Sequence, residues 1–319
     1  MRLRVWIPLA LGMLLSPLPA MAEVVPLDRI VAVVNDDAIM HSQLESRVAQ
    51  ARDQLRSNNI QMPPEQALER QVLDRMIVEQ IELQMADDAK LSIDETQLNT
   101  TMRGIAKNNG MSLEAFADTL EKQGQSLAEV REQVRRELLV RQVQQSQVAS
   151  KITVSDREVD RFLAQRSENS NMAYHLAQIL IAVPQSPTPD QVTQAQAEAQ
   201  KIYQQLQDGA DFQQLAVAES DDAQALQGGD LGWRQAAQIP TVFADVIPDL
   251  SKGQVSEPIR SPSGFHLVKL LDTRGGGSEQ MSRDQASQAI FERKVNDEIE
   301  AWIQEIRASA YIDNRLDKE

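Results

Sequence analysis

The stretch that decides the fold runs from Gly228 to Lys269 and reads GGDLGWRQAAQIPTVFADVIPDLSKGQVSEPIRSPSGFHLVK. Paired glycines at 228 and 229 specify a tight turn, because glycine takes positive φ without steric cost. Leu231, Gly232 and Trp233 follow, and then an apolar, helix-like piece that carries Ile239 and Phe243. Gly253 and Pro258 punctuate a short strand. Ser263, Gly264, Phe265 and His266 then lead into a strand through Leu270. Together these residues predict a small apolar pocket rimmed by hydroxyls and one imidazole.

Upstream of this stretch the pattern is α+β. Ala173–Val183 reads as a strand, Pro184–Pro189 as a proline-rich turn and Gln191–Gln207 as a helix that Gly209 ends, with Asp211 capping the next helix. Two polar or glycine-rich segments, Arg166–Asn171 and Gly275–Gly277, read as linkers at either end. The expected unit spans 172–274, with a linker over 275–282.

The flanks are helical. Leu27–Asp37, a β-branched run ending in Asn35-Asp36-Asp37, reads as a short strand and turn. From Ser42 the apolar period becomes helical: Leu44, Val48, Ala51 and Leu55 share one face, and Leu68, Val72, Met76, Ile77 and Ile81 share another after the break at Pro63-Pro64. Leu98, Met102 and Ile105 mark a third helix. Leu113, Phe116 and Leu120 mark a fourth, opened by Ser112. A fifth, about 126–147, carries Leu127, Val130, Val134 and Leu138, and Ser155 with Glu158 forms a capping box before a sixth. Met76, Met85, Met102 and Met111 are either core filler or the lining of a permissive peptide groove. A last amphipathic helix, about 283–308, carries Ile290, Ile299, Trp302, Ile303 and Ile306. Alone it could not remain in water, so it is expected to pack back onto the first helical region. The predicted fold class is therefore multidomain. An all-α domain, built from residues 23–168 plus 283–319, holds an inserted α+β domain with a four-stranded antiparallel sheet and helices.

Composition narrows the function. The chain has 319 residues, 42% hydrophobic and 25% charged, enough for two cores. Its net charge is −15, and without Arg2 and Arg4 it would be −17. With no basic cluster, a chain this acidic is repelled by nucleic acid and anionic lipid, so neither is an expected direct partner. The absence of cysteine excludes disulfides, thiol catalysis and Cys-ligated zinc. The three histidines, His41, His175 and His266, lie in no metal-ligand spacing, so no metal is expected. At the N-terminus, Arg2 and Arg4 precede an apolar run, Val5–Leu15, and Ala20-Met21-Ala22 fits a cleavage site. The run is shorter than the ~20 residues of a spanning helix, so residues 1–22 are expected to be a cleaved export signal, cut after Ala22, and the mature chain periplasmic.

Residues Tyr174–Thr273 resemble the parvulin family of peptidyl-prolyl isomerases. The resemblance is carried by Ile179-Leu180-Ile181, Gly209-Ala210-Asp211-Phe212, Ser220-Asp221-Asp222, Gly228–Trp233 and Ser263-Gly264-Phe265-His266, in order over about a hundred residues. The flanks, with Asp28–Asn35 and the tail Trp302–Tyr311, resemble the SurA-type periplasmic chaperones. Members of that family commonly carry two parvulin units, and this chain carries one.

Parvulin chemistry, as the resemblance implies it, is non-covalent and uses no cofactor. An X–Pro bond isomerises in tens to hundreds of seconds unaided, and only interactions that favour the twisted amide accelerate it. By analogy Leu231, Ile239 and Phe243 form the ring pocket, and His266, Asp222, Ser261 and Ser263 surround the twisting bond. Gln178 stands where the family usually has a histidine paired with the one matching His266. His175 is three residues away along the strand, about 10 Å off and on the other face. An amide can hydrogen-bond His266 but cannot titrate near neutrality, so weak or absent isomerase activity is expected. The leading reading is a chaperone whose helices hold unfolded outer-membrane protein precursors, with membrane contact only through those clients. The alternative is an active periplasmic isomerase or foldase acting on soluble exported proteins.

Overall fold

A computed structural model of the chain describes residues 28–122, 124–164, 172–275 and 282–317. The expected export signal and its cleavage site, the linker at Arg166–Asn171, and Gly276 and Gly277 of the second linker lie outside the described residues.

The β-branched run forms strand β1 (Ile30–Val34), which turns through Asn35 (φ 53°) into β2 (Asp37–Met40). Asparagine tolerates this left-handed conformation better than most residues. Six helices follow: α1 (His41–Ser57), α2 (Glu65–Asp88), α3 (Glu95–Asn108), α4 (Leu113–Lys122), α5 (Leu127–Gln147) and α6 (Asp156–Ala164). The caps read at Ser112 and Ser155 are present, and Ser126 adds one that the sequence reading did not name. Ser112 Oγ accepts from the Ala115 amide, Ser126 and Glu129 close a capping box, and so do Ser155 and Glu158.

Helix α9 (Arg283–Ser309) returns to this unit, as its apolar stripe requires. Trp302 and Ile306 are buried in one cluster with Leu44, Leu55, Leu68, Leu73 and Ile77. Ala286 and Ile290, near its start, pack with Val159 of α6. After α9 the chain adds a strand that the sequence did not announce, β7 (Ile312–Asn314), on the free edge of β1. The resulting sheet has the order β2-β1-β7, so the first and last described strands of the chain are hydrogen-bonded neighbours.

Between α6 and α9 lies the α+β unit. Strands β3 (Met172–Ala182), β4 (Asp230–Gln235), β5 (Ile259–Arg260) and β6 (Gly264–Gly275) form an antiparallel sheet of order β4-β3-β6-β5. Alternation along the central strands sorts side chains onto two faces. Ile179, Ile181 and Leu267 pack against α7 (Pro189–Gln207) and α8 (Phe212–Glu219), around Ala199, Ile202 and Phe212. The opposite face presents Leu176, Val268 and Leu270 to the segment 236–250. That segment is not the α-helix its apolar content suggested. It is three separate 3-10 turns, at Ala236–Gln238, Thr241–Phe243 and Ile247–Asp249. Pro240 and Pro248 lack the amide hydrogens a continuous helix needs and so divide it.

The two units share packed surface. Val217 of α8 is fully buried within the main helical cluster, the Gln71 side chain donates to the Ser220 carbonyl at 2.9 Å, and that of Gln214 donates to the Met62 carbonyl at 3.0 Å.

Candidate functional site

The site forms where β3 and β6 run side by side. Their register pairs Gln178 with Val268 and Leu180 with His266, so Gln178 and His266 are diagonal neighbours on the face away from α7 and α8. Two glycines set this geometry. At Gly229 (φ 75°) a Cβ would collide with the Gln178 carbonyl, and at Gly264 (φ 153°) with the Ile181 carbonyl. Both motif glycines therefore allow the backbone of a neighbouring strand to approach, and both have positive φ.

The structure brings the three apolar candidates together. Ile239 and Phe243 are buried with Tyr174, Leu176, Ile247 and Val268, and Leu231 packs against them half-buried. The edge of Phe243 meets His266, with centroids 5.2 Å apart and planes at 71°.

The polar half is a chain of hydrogen bonds. His266 Nε2 lies 2.7 Å from Ser261 Oγ, which lies 2.8 Å from Ser263 Oγ. Ser261 Oγ also accepts from the backbone amides of Ser263 and Gly264, which leaves its proton free for the imidazole. Burial pushes His266 down to about 4, so the ring is neutral at neutral pH. On the far side Asp222 is 6% exposed, held by the Gln224 amide at 2.7 Å and by the Gln178 side chain, and burial raises its pKa. The adjoining Ser220 and Asp221 tie this turn to the end of β3: Ser220 Oγ accepts from the Leu180 amide and Asp221 Oδ2 from the Ala182 amide.

The role foreseen for Gln178 as a hydrogen-bond partner of His266 is corrected by the structure. Its amide Nε2 donates to Asp222 and, at 3.0 Å, to Glu300 of α9. The two atoms that would have joined the residues, Gln178 Oε1 and His266 Nδ1, are buried without hydrogen-bond partners. His175 is no substitute, since it pairs with Asp230 at 2.8 Å and stacks on Trp233 at the β4 edge.

Glu300 is the residue the sequence did not reveal. It sits among the apolar positions of the terminal helix with no motif around it. It accepts from Gln178 and from Ser263 Oγ (3.4 Å), and burial, with the charge of Asp222, pushes its pKa up to about 7. Gln238, beside the ring pocket, likewise donates to Glu292 of α9 at 2.6 Å. Helix α9 thus contacts both the polar residues of the site and Gln238 beside its ring pocket.

A second concavity lies in the helical unit. A crevice of about 910 Å³ between α1, α2 and α5 is lined by Ile39, Met76, Leu83 and Val130, and crossed by Glu79 between Arg47 (2.9 Å) and Arg136 (3.3 Å). The four methionines separate: Met76 lines this crevice, Met85 borders the main cluster, Met102 is buried between α3 and α5, and Met111 is exposed. Among the described residues no cluster of potential metal ligands occurs, and no helix is long and apolar enough to cross a membrane.

Comparison with known proteins agrees with both halves of the chain. Residues 27–144 match the SurA N-terminal domain and residues 178–272 the PPIC-type PPIase domain. Chaperone SurA of Hahella chejuensis is 44% identical over 297 residues, 92% of this chain and 68% of that protein. The chain belongs to the SurA chaperone family. Chaperone SurA of Chromohalobacter salexigens is 64% identical over 88% of this chain, and the match spans 65% of that protein's length. A solved PpiC-type peptidyl-prolyl cis-trans isomerase domain is 32% identical, covering 35% of this chain and 99% of the domain, with a TM-score of 0.32. The fold class read from the sequence is the one found in this chain: a helical body with a rotamase-type domain between its two parts.

Proposed function

We propose that this SurA-family chain is an exported, periplasmic chaperone that holds unfolded outer-membrane protein precursors. The observation that carries the reading is the contrast between the helical crevice and the ring pocket. The helical crevice is open, and its lining mixes Met, Leu, Ile and Val with Gln and paired ions. Such a surface suits segments whose side chains alternate apolar and polar, as those of unfolded β-barrel chains do. The ring pocket is closed, with Ile239, Phe243 and His266 each at most 3% exposed. Export fits Ala20-Met21-Ala22 and cleavage after Ala22.

In this reading the rotamase-type unit grips proline-containing segments when it opens. Leu231, Ile239 and Phe243 would hold the pyrrolidine ring, and Ser261, Ser263, His266 and Asp222 would surround the twisted amide. Isomerisation would be weak, because Gln178 supplies no imidazole beside His266. An active isomerase working on soluble exported proteins is less favoured, since the closed pocket offers no free approach to a prolyl ring. Light scattering of a urea-unfolded outer-membrane β-barrel protein, diluted into buffer with and without the chain, tests the proposal. Suppression that survives substitutions in the ring pocket is expected, and absence of suppression would contradict it.

A further inference from the structure

Helix α9 contributes to the helical core and also to the rotamase-type site. Its Trp302 and Ile306 are buried in the helical cluster, while Glu300 reaches Gln178 and Ser263. Gln178 is central because one amide nitrogen carries two hydrogens, and here it donates to two carboxyls, Asp222 and Glu300, on different units. An imidazole nitrogen carries at most one hydrogen and could not bridge both carboxyls in this way.

We propose that Gln178 and Glu300 form a proton-sensitive latch, by which the terminal helix closes the chain's own proline-binding pocket. The proposal rests on the reading of that pocket as a prolyl site. It also accounts for the departure from the parvulin pattern: Gln178 is a docking residue, placed there at the expense of catalysis. The two orphaned atoms fit a closed site. His266 Nδ1 and Gln178 Oε1 are polar groups in a pocket built to surround an amide, and in the closed state nothing satisfies them.

The direction of the pH response follows from the groups around Glu300. From β3 it faces the neutral amide of Gln178, and from the turn before β6 Ser263, whose hydroxyl lies beside the neutral His266. From the turn after α8 it faces Asp222, whose charge Arg75 of α2 offsets, and along α9 it faces Asp297 beside Arg293. Burial disfavours the charge on Glu300, and Asp222 and Asp297 repel it, so the protonated form of Glu300 is the one that docks. Its pKa is about 7 when docked and near 4.5 when free. Closure is therefore strongest below about 4.5 and is lost as pH rises through about 7. Between pH 6 and pH 8 the closing equilibrium should weaken about tenfold.

The test uses two measurements on the purified chain. The chain lacks cysteine, so Lys201→Cys on α7 and Glu305→Cys on α9, both exposed, allow dye labelling and a distance readout by energy transfer. A fluorescent proline tetrapeptide reports pocket access. Raising pH from 6 to 8 should separate the dyes and raise peptide affinity about tenfold. Glu300→Gln, uncharged and of the same shape, should stay closed at pH 8, with affinity about tenfold below the parent chain. Gln178→Leu, which removes the bridge, should be open already at pH 6. If Glu300→Gln responds to pH as the parent does, or if neither dye separation nor affinity changes with pH, the latch is wrong. Dye separation without peptide binding would uphold the latch and overturn the prolyl-site reading.

Discussion

His266 rests its imidazole against the edge of Phe243, 5.2 Å between centroids, while its Nε2 lies 2.7 Å from Ser261 Oγ. One side chain therefore joins the apolar and polar halves of the pocket, and its protonation is set by burial.

That burial makes a titration prediction. His266 should remain neutral down to about pH 4 when followed by imidazole NMR. Its pKa is lowered on folding, so its contribution to stability is present above about 6.5 and is lost as pH falls through about 4. The loss is on the order of 3 kcal/mol. Glu300 acts in the opposite sense over an overlapping range, gaining as pH falls from about 7. The parent chain should therefore lose little stability on acidification from pH 7 to 5, and Glu300→Gln should lose more. An imidazole that titrates near 6.5 would contradict both statements.

The glycines at 229 and 264 carry a stability prediction. Each has positive φ and a neighbouring carbonyl where a Cβ would sit. Gly229→Ala or Gly264→Ala should destabilise the rotamase-type unit by about 3 kcal/mol, read as a shifted urea midpoint. Gly232→Ala has open space around it and should cost less. Equal effects at Gly232 and Gly229 would show that close approach is not what selects glycine here.

Trp302 tests how the terminal helix is anchored. It is 7% exposed within the main helical cluster, so Trp302→Ala should cost about 3–5 kcal/mol in the helical unit. An unchanged unfolding midpoint would contradict that anchoring.

The fold was legible where periodicity or punctuation was strong. The stripe at Leu44, Val48, Ala51 and Leu55 and the capping pair at Ser155 and Glu158 each state one local choice, and tertiary packing agrees with it. The pocket was legible because Gly228–Trp233 and Ser263–His266 carry the parvulin resemblance. What escaped was long-range. Strand β7 is three residues long and acquires its hydrogen bonds from β1, at the other end of the chain. Glu300 joins Gln178 across 122 residues, and nothing local distinguishes it from the other acids of α9. The piece around Ile239 and Phe243 looks helix-like from its apolar content, but Pro240 and Pro248 divide it into 3-10 turns.

Catalysis provides a further check. The parent chain should accelerate cis-trans exchange of a proline tetrapeptide only slightly. Gln178→His both releases Glu300 and restores an imidazole beside His266, so it should be faster at neutral pH. An ordinary parvulin rate in the parent chain would contradict the assignment of Gln178 as a docking residue.

The central claim is that the helical crevice holds unfolded clients while the rotamase-type unit is secondary. Aggregation of a urea-unfolded outer-membrane β-barrel protein on dilution, followed by light scattering, tests it most directly when paired substitutions are compared. Ala49→Glu with Ala128→Glu, exposed positions lining the crevice, should abolish suppression while leaving the melting curve of the helical unit in place. His266→Ala with Asp222→Ala, in the closed pocket, should leave suppression intact. Suppression that persists in the crevice variant and disappears in the pocket variant would contradict the account.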